Sequence, residues 1–171
     1  MVGAVRESKL EAFDRLCRDE YASVVRSAYL ITGDREEAAD LAQEAFARAY
    51  ERWKAVSRMD RPGGWLQRVV ANLAISWRRR RRAVPEDRID DRSAGAADPE
   101  GSDLDLMEAL SSLTPGQRAA IVLRYYADQP VAAVARALGK RPGTVRALTS
   151  QGLARLREFM AQEEEEDEAR R

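Results

Sequence analysis

Hydrophobic residues along this chain recur at three- and four-residue intervals and nowhere alternate long enough to suggest a strand. The pattern predicts an all-α fold. Phe13, Leu16, Cys17, Tyr21, Val24, Val25 and Ala28 form the first stripe, for a helix from about Leu10 to Ile31. Thr32-Gly33-Asp34 interrupts it, since Gly33 can take positive φ and Asp34 can cap the next helix. Glu37 lies three residues on and would complete a capping box. Ala38, Leu41, Ala42, Ala45, Phe46, Ala49, Tyr50 and Trp53 carry the second helix to about Lys54. Its other face holds Arg35, Glu36, Asp40, Gln43, Glu44 and Arg48. Ser57–Gly64 reads as a loop, with Asp60 and Pro62 marking a helix start. The third helix, about Pro62 to Arg82, bears Trp65, Leu66, Val69, Val70, Leu73, Ala74 and Trp77 and ends in arginines.

Apolar periodicity then lapses. Residues 84–103 are rich in Asp, Pro, Gly and Ser, the composition of a flexible linker that would let two halves sit far apart. A fourth helix is predicted from near Leu104, with Leu106, Met107, Leu110 and Leu113 apolar. Thr114-Pro115-Gly116-Gln117 is a second capping-box start, for a helix that would turn Ile121, Val122, Tyr125 and Tyr126 inward. Val131–Arg157 reads as two helices joined by a tight turn, with Gly139 as the left-handed cap and Pro142 opening the second. Val145, Thr149, Gly152, Leu153 and Leu156 would face inward. Arg146, Ala147, Ser150, Gln151 and Arg157 would face out, a small polar and basic surface suited to a DNA major groove.

Charge changes the picture more than composition does. The 29 basic and 29 acidic residues cancel, yet Arg78–Arg82 and Glu163–Glu168 are unbroken blocks of opposite sign. Aromatic rings beside arginines on the third helix fit single-stranded nucleic acid, the rings stacking on bases and the arginines holding phosphates. Trp77 alone reads better as core. The acidic run is predicted to be a disordered tail. No histidine and a single cysteine, Cys17 on an apolar face, leave no evident metal site, nucleophile–base pair or disulfide. No catalytic residue, cofactor or metal is therefore expected, and the reading is of a non-enzyme. No signal peptide or membrane-spanning run is evident, so a cytoplasmic protein without membrane contact is expected.

The arrangement resembles the sigma-70 family of RNA polymerase initiation factors, and within it the small extracytoplasmic-function (ECF) subgroup that keeps only regions two and four. Three segments carry the likeness. Asp34–Trp53 (DREEAADLAQEAFARAYERW) is similar to the polymerase-binding helix, and Arg61–Arg81 (RPGGWLQRVVANLAISWRRRR) to the −10 helix. Leu113–Arg157 is similar to the −35 half, and its ending, Gly152–Arg157, is similar to the branch called SigE-like. The likeness implies region two over residues 1–83, a linker over 84–103, region four over 104–160 and an acidic tail over 161–171. By position it implies polymerase contacts at Asp40, Gln43 and Glu44, with Phe46 packing inward. It implies −10 contacts at Arg58, Asp60, Arg61, Trp65, Arg68, Asn72, Arg78 and Arg79, and −35 contacts at Arg141, Thr144, Arg146, Ala147, Ser150 and Gln151. Arg141 stands where the family often has serine, Leu148 where a polar or basic residue is common, Gln151 where arginine is, and Ser76 where aspartate is. The implied partners are core RNA polymerase and promoter DNA, duplex at −35 and melted at −10. Many members also have an anti-sigma factor, which no residue here identifies. The rival reading is a free-standing helix-turn-helix regulator, with the first half as a dimerisation or sensing module.

Overall fold

The computed structural model describes residues 8–82 and 101–169, and all regular structure within them is helical. Helix α1 (Lys9–Thr32) starts at a full capping box: Glu11 N donates to Ser8 Oγ at 3.2 Å and Ser8 N to Glu11 Oε2 at 2.8 Å. It ends on Gly33, whose φ of 80° few side chains tolerate, with Gly33 N donating to Tyr29 O. Asp34 caps α2 (Arg35–Glu51) by accepting from Glu37 N at 3.0 Å. The return bond from Glu37 is not made, contrary to expectation. Asp34 N is already satisfied by Thr32 Oγ1 at 3.2 Å, and the Glu37 carboxylate accepts from the Trp77 side chain instead. Burial, followed by Asp34, raises the pKa of Glu37. At Arg52 the backbone leaves helical geometry (φ −100°, ψ 20°), so α2 stops short of Lys54 and Trp53–Val56 forms a separate single turn, α3. Helix α4 spans Pro62–Arg82.

These helices make the first core. Val24, Ala28, Ile31, Ala42, Ala45, Phe46, Leu66, Val70 and Ala74 are buried between α1, α2 and α4. Phe13 meets Tyr50 and Trp53 edge-on at 5.0 and 5.4 Å. Trp77 packs against this core, as expected of it.

Residues 83–100, nearly all of the segment read as a linker, lie outside the described residues. Helix α5 (Gly101–Ser111) begins before Leu104. Helix α6 (Pro115–Ile121) opens on the predicted Thr114/Gln117 box, with both bonds formed. It passes into a π-helical turn at Val122–Tyr126. A wider turn rotates the residues after it, so Tyr125 and Tyr126 are 59% and 43% exposed rather than inward. Helix α7 (Val131–Leu138) ends on Gly139 at φ 60°, and α8 (Pro142–Ala169) comes next. Val145 and Gly152 are buried and Thr149, Leu153 and Leu156 half-buried, the inward face predicted for α8. Helix α8 runs on through the acidic block to Ala169, where the sequence predicts a disordered tail; no glycine or proline after Gly152 stops it.

Gly152 marks the closest approach of α8 to α6. A Cβ there would lie 2.6 Å from Ile121 Cδ1 and 3.3 Å from Gln117 Cβ. Gly152→Ala adds about 1 kcal/mol of helix propensity but overpacks a contact whose strain typically costs about 1–3 kcal/mol. The expected result is a net loss of about 1 kcal/mol, read as a lower urea midpoint at unchanged slope.

The two halves touch. Helices α6 and α7 pack on α4, and α6 and the π turn on α1. The linker's length would let the halves sit far apart; in this arrangement they share an interface.

Candidate polymerase and nucleic-acid interfaces

Three groups of predicted residues can be placed. On α2, Asp40, Gln43 and Glu44 are exposed on the face away from buried Ala38, Leu41, Ala42, Ala45 and Phe46. Glu44 is engaged within the helix, bonding Arg48 Nε at 2.8 Å across one turn. Phe46 is buried, as expected.

In the second group, Arg58, Asp60 and Arg61 are exposed in the loop before α4, and Asn72 and Arg79 are exposed on α4. Trp65 and Arg68 are half-buried, because they face α7 across a cleft of about 320 Å³ shared with Gln129, Ala133 and Arg136. Arg78 is half-buried and its NH1 donates to Ile31 O at 2.9 Å, a contact with the end of α1 beside whatever else the guanidinium does. Arg81 lies 3.7 Å from Asp34 Oδ2 and over the Trp77 ring. The arginine run is therefore partly structural. Arg79 and Arg80 are its exposed members among the described side chains.

In the third group, Arg141, Thr144, Arg146, Ala147, Ser150 and Gln151 are all exposed on or just before the first turns of α8. Beside them runs a groove of about 290 Å³ lined by Arg124, Tyr125, Arg146, Ser150 and Arg157. Its guanidinium groups suit a phosphate backbone. Arg124 is fixed by donating to Gln129 O, in the turn where Asp128 takes a φ of 48°.

Sequence reasoning missed Arg118. It is 2% exposed, with Nε donating to Leu30 O and a terminal nitrogen 3.8 Å from Met107 Sδ. Burial, with repulsion from Arg78, brings its guanidinium down to about 10, still charged at neutral pH. The available signal was an arginine on the apolar face of its helix, at helical spacing from Ile121 and Val122.

A helix-turn-helix with an exposed basic second helix, behind a three-helix unit with aromatic and arginine residues, defines an all-α nucleic-acid-binding protein. The family described as Sigma-70 region 2 matches residues 16–84, and that described as Sigma-70, region 4 matches residues 103–156. The RNA polymerase sigma-E factor of Streptomyces coelicolor is 34% identical over 153 residues, covering 85% of this chain and 84% of that one. The ECF RNA polymerase sigma factor SigE of Mycolicibacterium smegmatis is 34% identical over 176 residues, covering 94% and 66%. In fold, the chain is similar to the sigma factor RpoE of Bartonella quintana, solved in complex with the anti-sigma factor NepR. That match has a TM-score of 0.69 at 22% identity, covering 87% of this chain and 96% of that one. The chain belongs to the sigma-70 family of RNA polymerase sigma factors, among its ECF members.

Proposed function

We propose that this chain joins core RNA polymerase through the exposed face of α2 and directs it to promoters carrying both a −35 and a −10 element. Asp40 and Gln43 make the main polymerase contacts, with Glu44 a lesser one because Arg48 already holds it. Arg146, Ser150 and Gln151 read base edges in the −35 duplex, while Arg141 and Thr144 position the helix and Ala147 leaves room for a base. The loop with Arg58, Asp60 and Arg61, together with Trp65, Arg68, Asn72 and Arg79, holds melted −10 strand. Residues 1–83 and 104–160 are the two working units. The chain works as a non-enzymatic positioning factor in the cytoplasm, where its template lies. Among the described residues no helix is long and apolar enough to cross a membrane.

What most supports the reading is the order of the two matched regions along one chain, 16–84 and then 103–156. A free-standing regulator would bind paired half-sites as a dimer, without polymerase. The test is transcription by purified core polymerase on templates with randomised upstream sequence. Discrete transcripts should appear only with the chain added, and the chain alone should bind specific duplex poorly. Equal transcription with and without it would overturn the proposal.

A further inference from the structure

Helix α4 begins on Pro62-Gly63-Gly64, a poor start for a helix. Pro62 has no N–H to satisfy, but glycine has the weakest helix propensity of any residue except proline. No acidic residue stands in the first turn. Trp65 N donates to Arg61 O at 3.3 Å, which puts Arg61 at the capping position, and a guanidinium has no acceptor to offer. The turn itself therefore supplies no negative charge for the positive end of α4.

That charge comes from α1. Glu20 is half-buried, and its carboxylate lies against buried Gly63. A Cβ at Gly63 would fall 2.6 Å from Glu20 Oε2 and nearer still to Oε1, so only glycine admits the carboxylate here. The contact is one of a series. Gln67, one turn further along α4 and 3% exposed, donates from Nε2 to Ser23 Oγ at 2.9 Å. Arg78 NH1 donates to Ile31 O at the far end. Glu20, Ser23 and Ile31 follow one another in the same order as Gly63, Gln67 and Arg78, so α1 and α4 run side by side in one direction. Glu20 meets α4 where the helix leaves the loop that bears Arg58, Asp60 and Arg61.

We infer that Glu20 is a positioning residue for the −10 site. From α1 its carboxylate holds the first turn of α4, and with it the loop before that turn and Trp65 just after it, in place for the melted strand. The inference rests on the −10 assignment above, but the holding of the turn is tested separately. It also carries a distinctive sign. A carboxylate near a polyanion ordinarily weakens binding, so removing one should tighten it. A carboxylate that orders the site should do the reverse.

The first measurement is amide hydrogen exchange of the full chain, which reports local opening. Glu20→Gln keeps the size and removes the charge. It should speed exchange across residues 58–66 about fivefold, the size of a partly buried charge–dipole contact, and leave Val69–Trp77 unchanged. Gly63→Ala should do the same with the charge still present, because the new Cβ expels the carboxylate. Glu20→Ala and Gly63→Ala together should be no worse than either alone, as two changes to one contact. Glu20→Ala with Gly63→Glu gives α4 an acid of its own and should restore protection. The second measurement is the affinity of preformed holoenzyme for a single-stranded −10-like oligonucleotide. It should fall by a similar factor in Glu20→Gln and in Gly63→Ala, and recover when the acid is moved to α4. Unchanged exchange over residues 58–66, or exchange speeded along all of α4 alike, would overturn the inference. So would tighter strand binding by Glu20→Gln. Faster exchange at the turn with unaltered strand binding would leave the holding of the turn standing and count against the −10 assignment.

Discussion

Reversing the charge at Asp40 should weaken binding to core RNA polymerase by about a hundredfold, since like charges brought together across an interface cost several kcal/mol. Asp40 is exposed midway along α2, and its side chain contributes nothing to the core beneath. The Asp40→Arg variant should keep its helicity, because Glu36 and Glu44 stand one turn to either side to receive the new guanidinium. Glu44→Arg should cost less in lost contact, since Glu44 is already bonded to Arg48 in an exposed pair of the kind worth under about 1 kcal/mol. Affinity for immobilised core, measured beside the far-ultraviolet circular dichroism of each variant, separates the two. Wild-type binding by Asp40→Arg would move the polymerase contact off this face of α2.

The asymmetry between Asp40 and Glu44 is local, set by Arg48 standing four residues after Glu44, and is legible in the sequence. So are the helices themselves. Apolar stripes, the Thr114/Gln117 box and the Gly33 and Gly139 caps are local signals, and local physics decides them. Failures begin where one stretch of chain answers to another. Periodicity carries Tyr125 and Tyr126 inward because it assumes about 3.6 residues per turn, and the π turn does not obey it. Asp34 and Glu37 have the spacing of a capping box, but Thr32 takes the bond that Glu37 would have taken, which frees Glu37 for Trp77 from another helix. In the sequence Arg78 is one arginine of a block, with nothing to set it apart from its neighbours. Only the fold shows it reaching 47 residues back to a carbonyl of α1. Arg118 reaches 88 residues back to the neighbouring carbonyl, a contact no spacing rule could have found.

The surface proposed for −35 DNA is the opposite case: the exposure that local pattern predicts on α8 is what the fold shows, and the question is which side chain reads sequence. Arg146→Ala should cut discrimination between preferred and substituted −35 sequences by about 1–3 kcal/mol, the worth of a good bidentate contact to a base edge. That corresponds to roughly 5- to 150-fold in relative affinity. Arg146 is exposed immediately after buried Val145, which anchors the first turn of α8 to the rest of region four, so truncation removes a contact without disturbing the helix. Arg157 lies further along the same groove, near Arg124 and Tyr125, and is the comparison. As a phosphate contact it should weaken binding to every sequence alike when removed and lower the salt slope by about one. The two variants therefore differ in kind: one relaxes sequence preference at a nearly constant salt slope, the other keeps preference and loses slope. Competition binding of reconstituted holoenzyme to a −35 sequence library at several salt concentrations resolves both. If Arg146→Ala lowers affinity uniformly, Arg146 belongs with Arg157 on the backbone, and base reading falls to Ser150 and Gln151 alone.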